Sequence, residues 1–149
     1  MRIIRLRWLL LVFILVIQGA CRHPLFSVNF RDKKDRKQGL WKVYYDSDNK
    51  KLYYKIRYKN NKPTGKVSYY YPDGKLQQQE IYKRNKTILT TYYWPNGKPE
   101  LKGTAQLIIT PDTTIYQWIG PWEKFDSTGK LTEVRTYRNG QRIWTRFIR

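Results

Sequence analysis

One histidine and one cysteine restrict the chemistry open to this chain of 149 residues. Nucleophilic catalysis needs a proton acceptor held on a scaffold. His23 lies two residues after Cys21, ahead of the first stretch with strand periodicity, where nothing orients it. A zinc site needs three or four His, Cys or carboxylate ligands, and this pair cannot supply them. Carboxylates are the remaining route. Glu100, Glu123 and Glu133 fall in or near extended stretches, whereas Asp46, Asp48, Asp73 and Asp126 sit at turns, where aspartate hydrogen-bonds its own backbone. No spacing sets two acids across a cleft, as glycoside cleavage requires. The sequence therefore predicts no catalytic residue, no metal and no cofactor.

Binding chemistry is better represented. Lys and Arg number 30 against 11 Asp and Glu, for a formal net charge of +19. Such a field attracts polyanions of any kind: anionic glycan, anionic lipid, acidic protein or nucleic acid. All 13 tyrosines lie between Tyr44 and Tyr137. By parity Tyr44, Tyr53, Tyr70 and Tyr93 share a face with Lys51, Lys55, Lys66 and Lys75, which is the expected binding face. Two readings stand for these tyrosines. They form a surface for sugar rings or phosphorylated glycans, or they form cross-strand ladders worth roughly 0.2–1 kcal/mol per pair.

The elements that must carry this face are strands. Leu52, Tyr54, Ile56 and Tyr58 alternate with Lys51, Tyr53, Lys55, Arg57 and Lys59, giving an apolar and a basic side with period two. Trp41, Val43 and Tyr45 alternate likewise, as do Val67, Tyr69 and Tyr71, and Ile88, Thr90, Tyr92 and Trp94. Aromatic pairs enter a turn and leave through Gly-Lys in Tyr70-Tyr71-Pro72-Asp73-Gly74-Lys75, in Tyr93-Trp94-Pro95-Asn96-Gly97-Lys98 and, more loosely, in Phe125-Asp126-Ser127-Thr128-Gly129-Lys130. Tyr44-Tyr45-Asp46-Ser47-Asp48-Asn49-Lys50 is a degenerate fourth copy. Proline presets φ, aspartate or asparagine suits the next position, and Gly74, Gly97 and Gly129 take the positive φ that re-enters a strand. A repeat of this kind predicts an all-β, antiparallel meander of stacked hairpins, with strands over 39–45, 51–59, 65–71, 75–82, 87–94, 98–109, 114–125, 130–137 and 141–148. Residues 104–119 read as an inserted long hairpin.

The start of the chain reads differently. Arg2, Arg5 and Arg7 precede an unbroken apolar run from Trp8 to Ile17, which ends at Gln18-Gly19-Ala20-Cys21. The segment resembles a bacterial lipoprotein signal, with residues 1–20 as the leader and Cys21 as the lipidated N-terminus of the mature protein; Gln18 departs from the apolar residue usual at that place. The apolar run is too short for a membrane span of about 20 residues. Removing the three leader arginines leaves a net charge of +16. Residues 21–38 then form a charged tether, with Arg31-Asp32-Lys33-Lys34-Asp35-Arg36-Lys37 expected to be solvated, and residues 39–149 the repeat domain. Arg22 and His23 after Cys21 supply no acidic retention signal, so the expected address is the bacterial cell envelope, anchored in the outer membrane and facing the periplasm.

Gly39-Leu40-Trp41-Lys42-Val43-Tyr44-Tyr45, Gly65-Lys66-Val67-Ser68-Tyr69-Tyr70-Tyr71 and Gly120-Pro121-Trp122-Glu123-Lys124-Phe125 resemble the opening of MORN-repeat variants. The closing half of those repeats is matched by Gly74-Lys75-Leu76 through Tyr82 and by Gly129-Lys130-Leu131 through Gly140. The resemblance covers about residues 37–142. The departures are Asp48-Asn49 in place of a glycine at the first turn, no opening glycine or tryptophan in the third copy, and the insertion after Gly103. The resemblance implies a meandering antiparallel sheet and transfers no catalytic residues; relatives are antitoxin-like proteins or envelope lipoproteins. The expected function is thus a lipid-anchored, non-enzymatic envelope module that binds or scaffolds an anionic component or partner protein. The alternatives are a toxin-neutralising protein and an envelope carbohydrate-active enzyme. Export argues against nucleic acid as the partner.

Overall fold

The computed structural model describes residues 27–149, so the leader, Cys21 and His23 lie outside the described residues. Ten strands follow one another in space in chain order: β1 (Phe30–Arg31), β2 (Lys37–Tyr44), β3 (Leu52–Lys59), β4 (Lys62–Tyr70), β5 (Leu76–Tyr82), β6 (Thr87–Tyr93), β7 (Pro99–Ile109), β8 (Thr114–Phe125), β9 (Leu131–Arg138) and β10 (Gln141–Phe147). Every pairing is antiparallel, and the sheet is a meander of hairpins with no helix among the described residues.

Six hairpin ends share one loop design. The fourth loop residue donates its N–H to the carbonyl of the first and takes a positive φ: Asp35, Asn49, Gly74, Lys86, Gly97 and Gly129. This is a tight turn closed by a left-handed residue, which glycine adopts without steric cost and L residues adopt at a cost. Two other ends, Asn60-Asn61 and Asn139-Gly140, are two-residue turns with both φ values positive, as the right-handed twist of the flanking strands favours.

The first of the six loops corrects the reading of a solvated tether up to residue 38. Residues 32–36 close a hairpin that lays β1 on β2. Asp32 holds it together. Its carboxylate accepts the backbone N–H groups of Lys34 and Arg36 and the side-chain donors Arg36 Nε (2.8 Å) and Gln38 Nε2 (2.8 Å). The bond from Arg36, helped by the backbone and Gln38 donors, holds this carboxyl far below the usual carboxylate range. A run of charges that looks self-solvating is internally paired, Arg36 to Asp32 at 2.7 Å and Arg31 to Asp35 at 3.0 Å. The edge of β2 is covered further by Asn29, whose side-chain amide exchanges hydrogen bonds with both backbone groups of Lys42 (3.0 and 2.7 Å). An asparagine thereby occupies hydrogen-bonding groups that an open edge would offer to another chain.

Register explains how the repeats differ. At each of the four long-turn hairpins one strand gains a residue just after the turn: Tyr44 pairs with Leu52, Tyr70 with Leu76, Tyr93 with Pro99 and Phe125 with Leu131, while the preceding pairs skip Tyr53, Gln77, Glu100 and Thr132. A second kind of break separates units. Across β3–β4 the pairing jumps from Lys55↔Ser68 to Arg57↔Thr64, and across β7–β8 from Lys102↔Glu123 to Thr104↔Ile119. Each jump falls where a unit opens with glycine in the left-handed region, Gly65 (φ 68°) and Gly120 (φ 65°). The third copy has Ile88 at that place, and β5–β6 pairs without interruption.

Alternation puts most of the aromatic residues on one face, where they pack on one another. Trp122, Ile88 and Ala105 are fully buried, with Tyr82, Tyr92, Leu101, Leu107, Trp118 and Tyr137 packed around them. Trp122 stacks on Trp118 with ring centroids 3.8 Å apart and lies flat on Gly103, where an added Cβ would come within 2.2–2.4 Å of its ring carbons. The indole N–H donates to the Thr104 carbonyl at 3.1 Å. A looser cluster around Ile56 and Val67 holds the other end, with Trp41 edge-on to Tyr58 (6.0 Å) and Tyr54 against Tyr69 (5.6 Å).

Candidate anion-binding face

The opposite face carries the charge. β2, β3 and β4 contain seven lysines and arginines and no acid. Lys37 turns to the aromatic face, its Nζ 4.9 Å from the Trp41 ring and 5.0 Å from that of Tyr58. Register places the other six, Lys42, Lys55, Arg57, Lys59, Lys62 and Lys66, on the side away from the aromatics. Two pairs stand directly opposite each other across the ladder, Lys42↔Lys55 and Lys59↔Lys62. Like charges in that position are destabilising. None of the six is in an ion pair among the described residues.

Two shallow grooves indent this face, each over one of the glycine-opened register breaks. The first, about 460 Å³, lies over β3–β4 and is lined by Lys55, Arg57, Lys66, Ser68, Tyr70 and Gln79 among polar or aromatic residues, with Leu40, Ile56 and Leu76 as its apolar parts. The second, about 480 Å³, lies over β7–β8. It includes Ile81, Leu89, Pro121 and Val134 and two cations, Lys102, paired with Glu123 at 3.4 Å, and Arg146 from β10. The two breaks share a further contact. Lys55 Nζ sits 5.4 Å from the centroid of Tyr70, and Lys102 Nζ 5.5 Å from that of Phe125, the same repeat positions two units apart.

Of the eight residues expected to form one binding face, Lys55, Lys66 and Tyr70 come together in the β3–β4 groove. Lys51 and Lys75 stand at turns, exposed, with Lys75 paired to Asp73 at 3.1 Å. Tyr44 and Tyr93 occupy the repeat position of Tyr70 and are partly buried beside Leu52 and Pro99. Tyr53 goes elsewhere. It is the extra residue of its hairpin, so strict alternation fails there. Its ring lies 4.7 Å from Tyr45, 5.3 Å from Tyr54 and 6.1 Å from Tyr69, in the aromatic cluster. Gly74, Gly97 and Gly129 have φ values of 84°, 82° and 93° and hold the turns at one end of the sheet. Sequence reasoning put Arg57 and Lys59 on the basic side of their strand without naming them in the binding face, and it missed Lys42 and Lys62.

The aromatic face holds a polar network that no sequence motif announces. Glu80, 5% exposed, accepts from Gln78 Nε2 (2.9 Å), the Tyr82 hydroxyl (3.3 Å) and the Tyr116 hydroxyl (3.2 Å), and Tyr116 also bonds the Thr90 hydroxyl (2.9 Å). Tyr116 reaches from β8 to β5 across two strands, which needs the sheet to curl toward this face. Burial raises the Glu80 carboxyl above its ordinary value against the lowering by its three donors, and raises the hydroxyls of Tyr69, Tyr82, Tyr92 and Tyr116 too. Glu133 is the contrasting case. It is also buried, but Arg135 (2.7 Å) and Lys124 (3.2 Å) pair with it, and the Arg135 bond leads in lowering its pKa. Among the described residues no group of three or more His, Cys, Asp and Glu side chains is placed to hold a metal ion.

The architecture defines a class: an open antiparallel meander built from hairpin repeats with a cationic face. Residues 63–84 and 119–139 match the MORN repeat variant, and the chain carries that repeat at both places. These are the two units opened by Gly65 and Gly120, at whose leading edges the grooves lie. No curated protein and no solved structure matches the chain.

Proposed function

We propose that this protein is a lipid-anchored, non-enzymatic binding module of the bacterial envelope, held at the outer membrane on its periplasmic side through Cys21 and engaging an anionic envelope component or an acidic partner protein. The observation that carries the reading is the acid-free surface of β2–β4, where cations face one another directly. Local electrostatics work against that arrangement in the free protein, and rules broken without internal compensation mark binding surfaces. Support comes from the repeat itself, since repeats of this kind commonly serve as binding or scaffolding modules. The leader supplies the anchor and the address: a basic start, an apolar run and a single cysteine behind two small residues.

Intact mass and membrane fractionation of the native protein beside a Cys21→Ser variant test the anchor. A native chain that begins at Cys21, carries acyl groups and leaves the membrane on substitution is the expected result. A full-length, unmodified chain in the soluble fraction overturns the reading.

A further inference from the structure

We infer that the groove over β3–β4 is a site for a phosphate group carried on a sugar, with Lys55, Arg57 and Lys66 taking the phosphate and Ser68, Gln79 and Tyr70 facing the sugar. The inference deepens the proposed envelope-binding function and rests on it. Three considerations converge on this ligand class.

Charge comes first. The groove has three cations and no acid in its lining, and none of the three is committed to an ion pair among the described residues. A dianion such as a phosphomonoester satisfies several donors at once, and guanidinium is suited to its fork of oxygens. Size comes second. A volume of about 460 Å³ accommodates a ligand of one or two sugar rings. The cationic patch spans β2 to β4, two interstrand spacings or about 10 Å across, and runs from Lys55 to Lys59 along β3, about 13 Å. Beyond it the same face continues through Gln79, Ile81, Leu89 and Thr91, none of them charged. A nucleic acid spreads its phosphates along a continuous track, and this patch is too short to follow one. Neutral chemistry comes third. Ser68 is 3% exposed and lines the groove together with Gln79, so hydroxyl and amide groups lie beside the cations. Sugar hydroxyls bond to groups of that kind. Tyr70 adds an aromatic ring to the lining, with the Lys55 amine over it at 5.4 Å from its centroid.

The second groove is the internal control. It has the same backbone break and the same lysine-to-ring contact, yet Glu123 pairs with Lys102, which leaves Arg146 as its one cation outside an ion pair among the described residues, against three in the β3–β4 groove.

The test is an amide-resolved NMR titration of the intact protein in nonionic detergent at about 0.15 M salt, where long-range attraction between exposed charges is screened. The probes are glucose 6-phosphate, glucose, phosphatidylglycerol vesicles and a short oligothymidylate. Glucose 6-phosphate should give saturable shifts at Lys55, Lys66 and Ser68, and glucose none. Lys55→Gln with Lys66→Gln should weaken binding tenfold or more, and Lys102→Gln should leave it unchanged. Glu123→Gln should create a new response at Lys102 and Thr104. Vesicles that displace the sugar phosphate from the same amides identify a lipid headgroup as a source of the same chemistry. No saturable shift with either phosphate carrier, equal loss with Lys102→Gln, or binding of the oligothymidylate alone overturns the site. Cys21 acylation is measured separately, so a silent groove in a lipidated protein removes the site and leaves the envelope reading standing.

Discussion

The junctions β3–β4 and β7–β8 are two castings of one backbone design, and they differ in what fills them. Both open with a glycine at positive φ, both slip register, and both set a lysine of one unit against an aromatic ring of the next. On the aromatic side β7–β8 is packed tightly, with Trp122 fully buried on Gly103, while the matching place in β3–β4 holds Val67 beside Ile56. On the cationic side the order reverses. β7–β8 has its charge paired, and β3–β4 has its charge unpaired. Of these two junctions, the one with the tighter core has its lysine paired, and the one with the unpaired cations has the lighter core. The repeat thus supplies a groove at both glycine-opened register breaks, and the side chains decide whether it serves packing or binding.

The largest effect that can break this contrast is in the cores. Trp122→Ala should destabilise the protein by about 3–5 kcal/mol, the usual cost of deleting a buried aromatic side chain. Gly103 has no Cβ, so the strand beneath the ring offers no side chain to fill the space left. Val67→Ala, at the equivalent position and equally buried, removes only two methyl groups and should cost about 1–2 kcal/mol. Urea unfolding followed by far-UV circular dichroism measures both. Equal losses would mean that the two junctions share their stability evenly, contrary to the packing.

A smaller effect comes from the uninterrupted junction between them, where Glu80 on β5 faces Thr90 on β6. Its folded pKa is raised above the unfolded value, chiefly by burial. The folded protein therefore holds the proton more tightly, and the associated stability is present at acid pH and lost as pH rises through the raised pKa. Glu133 behaves in the opposite sense. With its pKa lowered chiefly by Arg135, its contribution is present above the ordinary carboxylate range and lost as pH falls through the lowered value. Glu80→Gln should flatten the decline in stability from mildly acid to neutral pH and leave the acid limb intact; Glu133→Gln should do the reverse. Unfolding midpoints at a series of pH values separate the two, and an unchanged slope in Glu80→Gln would show that the buried carboxyl has the same proton affinity folded and unfolded.

The sequence was most readable where one residue type has one conformational job. Pro-Asp-Gly and Pro-Asn-Gly marked turns, and alternation marked β3 to within a residue of its ends. It failed where the same backbone is made from other residues. The β1–β2 loop has the hydrogen bonds of the Gly129 loop with Asp35 in the left-handed position, so a folded hairpin looked like a charged linker. Tyr53 was assigned to the wrong face because a one-residue bulge reverses parity, and nothing in the local composition signals a bulge. The binding face was legible as a charge pattern in β3, whereas its limits depend on strand order. The Glu80 network joins residues 36 positions apart through a curled sheet, beyond the reach of any local pattern.

The smallest expected effect tests whether these disguised loops are the same device. Lys86 closes the β5–β6 turn at φ 64°, in the place that Gly74, Gly97 and Gly129 occupy in the neighbouring hairpins, and its N–H bonds the Lys83 carbonyl at 3.3 Å against 2.8 Å for Gly74 and Gly97. A non-glycine residue there costs roughly 1–2 kcal/mol of steric strain, and glycine gives back part of that through greater unfolded-state entropy. Lys86→Gly should therefore stabilise the protein by about 0.5–1 kcal/mol. Lys86 is not among the residues lining the β3–β4 groove, so removal of this cation should leave sugar-phosphate binding unchanged. A rise in the urea midpoint with an unchanged dependence on denaturant concentration is the expected signature. A loss of stability would show that this turn relies on the lysine side chain, and that the turn at the one junction without an opening glycine is built on different principles from the rest.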